Sequence, residues 1–383
     1  MSDVQGTVEP GFESVREVFE GIAADEARDG GAQLVVHHRG RPVVDLWGGD
    51  GVDGDSLLAL YSSAKGVTAL VTALLVQDGA LDLDRTVASW WPEYAAEGKG
   101  ALTLRGLLAH RSGSIGVEGG FTFDEIIDDR VVAARLAAHR PYWEPDSGHG
   151  YHGLTFGALV GEVVLRATGR TVQEHYEERL RVPYGLDYHL GLPEELEARF
   201  APALPLVPTP EQQEALDAEP VVPGSRMSVA FGLESDPPLD LVAYGNARAA
   251  HVKAPLSAGG VGTARGLSRL YAAVAGPFEG RPPLLTDETL AEFSRVHSKG
   301  TDLVTGGENA FGLGLSLLST GYPSLSPRVI GHSGAPGTQS FADPATGLAY
   351  SYARRRFAFM GGPGAPENVP LIEAVVAAVR ARG

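Results

Sequence analysis

The sequence predicts an α+β protein. An antiparallel sheet is formed by the N- and C-terminal parts of the chain and flanked by helices, and a mostly helical region is inserted between them. Three observations carry this. β-rich runs occupy residues 34–47 and return from 311 to 354. A helical period opens the chain and another closes it. Between them, 3.6-residue periodicity dominates. The reading divides a single 383-residue domain into a sheet part of about 1–60 and 255–383 and a helical part of about 61–254.

Taken in order, Phe12, Val15, Val18, Phe19 and Ile22 fall on one face of a helix. Leu34–His38 and Val43–Trp47, separated by Arg39-Gly40-Arg41-Pro42, read as a hairpin. The apolar run Leu57–Tyr61 leads into a helix with Val67, Leu70, Val71, Leu74 and Leu75 on its apolar face, stopped by Gly79. A short helical segment is expected over Val87–Trp91, and Thr103 is positioned as the N-cap of Leu104–His110. Leu154–Ala167 is the clearest helix of the middle region. Pro202–Pro223 has many prolines and no sustained period, so a long ordered loop is expected there, of the length lids often have. Gly262-Thr263-Ala264-Arg265 opens another helix. Phe311–Leu318, Arg328–His332, Gln339–Asp343 and Leu348–Arg354 read as successive antiparallel strands, and Leu371–Val379 as the closing helix.

Composition narrows the function. A hydrophobic fraction of 43% is ample for a large core. With no cysteine, disulfides and thiolate metal sites are excluded. A net charge of −17 and no basic run longer than Arg354-Arg355-Arg356 argue against a nucleic-acid partner. The opening residues lack a basic segment followed by an apolar one, and no apolar run is long enough to span a bilayer, so a cytoplasmic protein without a membrane partner is expected.

Ser62-Ser63-Ala64-Lys65 is an S-x-x-K motif. A serine hydroxyl needs a base to become nucleophilic, and a lysine three residues on lies one helical turn away on the same face. Burial at a helix start would lower the lysine pKa and make the neutral amine accessible. Lysine occurs only at positions 65, 99, 253 and 299 in a chain that prefers arginine, and arginine cannot serve as a base. Tyr151 sits in the glycine-rich run Gly148-His149-Gly150-Tyr151-His152-Gly153, which can hold a phenol in a cleft. Beside an ammonium its pKa would fall, making it a candidate general base. In Gly331-His332-Ser333-Gly334-Ala335 small residues let a backbone N–H approach a substrate carbonyl. The N–H groups of Ser62 and Ala335 are the candidate oxyanion hole. His332, Ser333, Gly334 and His152 are candidates for the substrate pocket.

The order of these motifs resembles the serine β-lactamase-like superfamily, in particular the branch with class C β-lactamase architecture that includes family VIII carboxylesterases and related acyltransferases. Leu83-Asp84, the run from Leu107 to Gly113, Gly150–Thr155 and Gly262–Arg265 share the resemblance, which spans Val35 to about Arg354. It implies a β-lactamase-like, penicillin-binding-protein-like fold and an acyl-enzyme on Ser62, activated by Lys65 and Tyr151, with no metal or cofactor. Two departures stand out. Gly153 replaces the asparagine of the Tyr-x-Asn pattern, and His332 stands where lysine is usual in β-lactamases. A histidine there occurs in some peptidases, but together with the lack of an export signal the two departures make a cell-wall or lactam substrate less expected and an ester or thioester more so, with water, an alcohol or an amine as acceptor. A β-lactamase or D,D-peptidase-type amide hydrolase and a non-catalytic binding protein on the same fold are the alternatives. The run 331–335 also resembles the G-x-S-x-G elbow of α/β-hydrolases, but Ala335 replaces the last glycine and Pro336 forbids the helix that should follow. His149-x-x-His152 reads as structural rather than as a metal pair.

Overall fold

The computed structural model describes residues 4–25, 30–359 and 364–382. Strands are numbered in chain order: β1 Gln5–Val8, β2 Gly31–His38, β3 Arg41–Gly49, β4 Leu58–Tyr61, β5 Tyr188–His189, β6 Gly260–Gly262, β7 Ser298–Thr301, β8 Glu308–Phe311, β9 Ser316–Leu317, β10 Ile330–Ser333, β11 Gln339–Asp343 and β12 Leu348–Arg354. Nine of them form one antiparallel sheet in the order β1-β3-β2-β12-β11-β10-β9-β8-β7. Its centre joins the two ends of the sequence: β2 pairs with β12 from His38 opposite Leu348 to Ala32 opposite Arg354.

Alternation along the strands explains why this sheet is covered on both faces. Leu34, Val36, Phe341, Leu348, Tyr350 and Tyr352 point into one core with Phe12, Val15 and Phe19 of helix Glu13–Asp25 and Leu371, Ile372 and Val375 of helix Asn368–Arg382. The intervening residues Val35, Ala342, Ala349 and Ala353 face a second core with Leu267, Leu270, Tyr271 and Val274 of helix Ala264–Ala275. Small side chains on that face let the helix approach closely, while aromatics fill the wider gap beneath the terminal helices. Strands buried on both sides read as continuous apolar runs, which is how the sequence showed them.

The middle of the chain supplies helices Ser63–Gln77, Leu104–Leu108, Asp129–Ala138 and Phe156–Thr168. Thr103 caps its helix as expected, its side chain accepting the Gly106 N–H at 3.2 Å. A three-stranded sheet, β4-β6-β5, joins this region to the main sheet. No helix among the described residues is long and apolar enough to cross a membrane.

Three expectations are corrected. Pro202–Pro223 is not a continuous loop, because Pro210–Ala218 is a helix. Pro210 occupies its first turn, where no N–H is needed, and Thr209 and Gln212 cap it reciprocally. None of its residues is buried, so it has no apolar period to detect. The strand expected over Phe311–Leu318 is broken into β8 and β9 by a turn at residues 312–315, where Gly314 takes φ +71° and donates its N–H to the Leu108 carbonyl at 2.8 Å. The segment expected over Val87–Trp91 is a single 3₁₀ turn at Val87–Ser89. The edge strands β1 and β7 escaped the reading because they are short and largely polar.

Candidate active site

Ser62 lies at the junction of the two sheets and the helical region, as the N-cap of helix Ser63–Gln77. The residue before it, Tyr61, adopts a left-handed backbone with φ +43°. That conformation is costly for an aromatic residue and persists only where surrounding contacts enforce it. Here the Tyr61 hydroxyl donates to the Leu241 carbonyl at 2.8 Å, and its ring meets Phe357 edge-on with centroids 5.4 Å apart. The sharp turn ends β4 and starts the helix in one step, leaving the Ser62 side chain free of any capping bond.

Lys65 is fully buried, and its Nζ lies 3.0 Å from Ser62 Oγ, 2.6 Å from the Gly153 carbonyl and 2.7 Å from the Ser257 carbonyl. Burial pushes its pKa well below the ordinary lysine value, opposed in part by the negative charge of Asp129. The half-buried Tyr151 turns its ring toward Nζ, 5.0 Å from the centroid, and its phenol is close enough to the Ser62 side chain for that hydroxyl to act on its ionisation. Its backbone N–H donates to both carboxylate oxygens of the buried Asp302, at 2.9 and 3.2 Å. The structure thus brings Ser62, Lys65 and Tyr151 together.

The expected fall in the Tyr151 pKa does not occur. Burial raises it, outweighing the lowering effect of the Ser62 hydroxyl. The physical reason is that burial removes the water that would stabilise a phenolate, and the nearby negative charge of Asp302 adds to the rise.

Strand β10 brings His332 against this group, with ring centroids of His332 and Tyr151 6.1 Å apart. His332 Nδ1 donates to the Ser333 carbonyl at 2.7 Å, which fixes the tautomer and leaves Nε2 as a buried acceptor without a partner. Burial and the proximity of Lys65 depress its pKa to about 3, so the position holds a neutral ring rather than a cation. Gly334 follows, and a Cβ there would lie 2.5 Å from the Leu60 carbonyl. Only glycine lets the end of β10 close onto the end of β4, which sets the partly buried Ala335 beside the Tyr61–Ser62 turn. Among the described hydrogen bonds, neither the Ser62 N–H nor the Ala335 N–H is taken by a protein acceptor.

His152 is placed differently from its expected role. It has no exposed surface, its Nδ1 donates to the Gly150 carbonyl at 2.7 Å, and its Nε2 accepts from Ser112 Oγ at 2.6 Å. Both ring nitrogens are committed, so it braces the Tyr151 turn and has nothing to offer a substrate. Gly153 has a role that its lack of a side chain concealed. Its carbonyl holds Lys65, and a Cβ there would lie 2.7 Å from the Ala230 carbonyl. The backbone at Ala230 fills the space an asparagine side chain would need. The acceptors Gly153 O and Ser257 O are main-chain atoms and carry no residue-type signal. Asp302 lies in a loop 151 residues from Tyr151, with no motif to mark it.

The chain belongs to the Beta-lactamase family, whose model matches residues 15–366. A curated relative, Esterase/beta-lactamase LipL of Mycobacterium tuberculosis, is 31% identical over 373 residues, covering 92% of this chain and 83% of the relative. Among solved structures, EstA from Arthrobacter nitroguajacolicus Rue61a superposes with a TM-score of 0.90 at 37% identity, covering 100% of both chains. A family VIII carboxylesterase superposes with a TM-score of 0.86 at 31% identity, over 98% of this chain and 100% of the other. A penicillin-binding protein homologue from Caulobacter crescentus reaches 0.84 at 32% identity, with the same coverage.

Proposed function

We propose that this chain is a serine ester hydrolase that works through an acyl-enzyme on Ser62 and can also pass the acyl group to an alcohol or amine. The observation that carries the reading is the set of three partners around Lys65 Nζ. A neutral amine has two N–H groups and one lone pair. Two carbonyls take the two N–H groups, so the lone pair is left for the Ser62 hydroxyl. The carbonyls therefore orient the base as well as bury it.

On attack, the Oγ–H bond breaks and its proton moves to Nζ, while Oγ bonds to the acyl carbon. The Ser62 and Ala335 N–H groups receive the oxyanion. On collapse the ester C–O bond breaks, and the leaving alkoxide takes a proton relayed from the Lys65 ammonium. Tyr151, kept protonated by burial, donates to Ser62 Oγ and relays this proton as a phenol rather than acting as a phenolate base. Water repeats the cycle in reverse. The seam at Ser62 fits a division into a sheet part and a helical part, with boundaries near 60 and 255. Support for an ester over an amide comes from Gly153, where no side-chain amide can hold a substrate amide, and from neutral His332, which supplies no cation for a substrate carboxylate. The esterase and carboxylesterase names of the relatives agree with this reading. The reading includes a small-molecule acyl donor, a cytoplasmic location and, from the net charge of −17, no nucleic-acid partner.

The test is intact mass after mixing with a short-chain p-nitrophenyl ester, with and without an added amine. An acyl adduct or nitrophenol release that disappears in Ser62→Ala is expected, and unimpaired turnover by that variant sinks the assignment. The pH profile is a second expectation. Because the neutral amine is the active form, kcat/KM should rise along one limb whose midpoint lies well below the ordinary lysine pKa. Burial holds the Tyr151 proton beyond the ordinary tyrosine value, so no descending limb should appear before that value is passed. Stopped-flow rates across pH check both statements.

A further inference from the structure

We propose that Asp129 is a positioning residue for Lys65: it holds the Leu256–Ser257 segment whose carbonyl seats Nζ and balances the charge Lys65 takes up on accepting the Ser62 proton. This rests on the role of Lys65 proposed above. The two-residue segment Leu256–Ser257 is clamped at four points. The Leu256 N–H donates to Asp129 Oδ2 at 2.9 Å, and the Leu256 carbonyl accepts from Thr68 Oγ1 at 3.4 Å. Ser257 Oγ accepts the Gly157 N–H at 2.7 Å, and the Ser257 carbonyl accepts from Lys65 Nζ at 2.7 Å. Asp129 is the one carboxylate among these clamps, separated from the amine by that segment.

The charged groups around Asp129 are mostly satisfied by one another. On its own element, Asp128 caps the helix and pairs with Lys253 of helix Arg248–Lys253 at 3.1 Å. Arg130 lies 3.8 Å from Glu162 of helix Phe156–Thr168, which binds Arg166 at 2.7 Å. Tyr244 faces Asp129 from helix Leu241–Asn246, its phenol kept protonated by burial and by the Asp129 charge. Among the described residues Asp129 forms no ion pair of its own, and Lys65 is the cationic group it acts on. Burial raises its carboxyl to about 7, with Asp128 adding to the rise and the Leu256 N–H and Lys65 opposing it. A cavity of about 250 Å³ lined by Asp129, Glu162, Lys253 and Leu256 keeps that carboxyl open to proton exchange.

The coupling is reciprocal. The carboxylate favours the lysine ammonium, and the ammonium favours the carboxylate. When Oγ–H breaks and Nζ–H forms, a cation appears in a buried site, and Asp129 offsets its cost. When the proton passes to the leaving alkoxide, Lys65 returns to neutrality.

The chain has four lysines, so protein labelled with ¹³Cε-lysine gives a spectrum simple enough to titrate, with Lys65→Met assigning the relevant resonance. Asp129→Asn keeps an acceptor for the Leu256 N–H and removes the charge, whereas Asp129→Ala removes both. In Asp129→Asn the Lys65 midpoint should move to lower pH, and the rising limb of kcat/KM should move with it. Asp129→Ala should in addition lose kcat on the order of ten- to a hundred-fold through misplacement of the seat, and Asp129→Asn should restore most of that loss. A Lys65 resonance unmoved in Asp129→Asn overturns the proposal, as does an Asp129→Ala enzyme with wild-type limb and plateau. The spectrum reads Lys65 without any turnover. A shifted resonance in a protein that hydrolyses no ester would refute the esterase reading and leave the coupling standing.

Discussion

Lys65→Met is expected to lower kcat/KM toward a short-chain p-nitrophenyl ester by about 10⁴-fold or more, the scale at which removing one member of a nucleophile–base unit acts. Methionine matches the volume but offers no lone pair to the Ser62 hydroxyl. It also leaves the Gly153 and Ser257 carbonyls without a donor. Lys65→Arg should fail as completely, because a guanidinium stays charged at any accessible pH. Tyr151→Phe should cost roughly 10²–10⁴-fold, the range of a proton relay. Combining Ser62→Ala with Lys65→Met should be no worse than Ser62→Ala alone. Steady-state rates for these five variants, checked for folding by circular dichroism, decide the matter. An arginine variant retaining a tenth of wild-type activity would exclude Lys65 as the base.

Folding stability is expected to collapse between pH 6.5 and 5. His37, His110, His152 and His332 are buried and held neutral. His37 and His152 have pKa values depressed to about 4, His332 to about 3, and His110 well below 6.5, each mainly by burial. The unfolded chain binds protons at these rings below pH 6.5, whereas the folded chain does not. Their contribution is complete above 6.5 and is lost as pH falls toward 4. Asp129 acts in the opposite sense: its folded carboxyl, raised to about 7 from 3.8, holds a proton across the same window and adds stability as pH falls. These five groups alone, four imidazoles less one carboxyl, leave a net of about three protons, or roughly 4 kcal/mol per pH unit. Urea midpoints at half-unit steps from pH 7 to 5 measure this slope. His37→Gln, away from Ser62 and hydrogen-bonded to Ser268 at 2.8 Å in the wild type, should reduce it by one proton. A flat midpoint over the window would mean that the rings are charged in the folded protein.

Much of the architecture was legible because its determinants are local or periodic. Strands β2, β11 and β12 are buried on both faces and announce themselves as apolar runs, and Thr103 announces its helix by its own side chain. The pair Ser62–Lys65 was legible for the same reason, since three-residue spacing on a helix is a local code. Tyr151 could be located but not given its ionisation state, which depends on how deeply elements distant in sequence bury it. His152 was misplaced because a buried and a pocket-lining histidine look alike in sequence. The helix Pro210–Ala218 was hidden because it buries nothing. The two carbonyls that orient Lys65, and the Ala230 backbone that excludes a side chain at position 153, belong to the main chain and have no residue code.

The pairing of β2 with β12 has a consequence for how the protein is made. Some 310 residues separate His38 from its partner Leu348. At about 5–20 residues per second on the ribosome, the finished N-terminal hairpin waits roughly 15–60 s for the strand that completes the sheet. Through that interval the β2 edge is an open template for mispairing. Helical residues emerging in between can gather by short-range contacts first. Expression yield should therefore respond more to chaperone supply and lower growth temperature than to changes in the helical half.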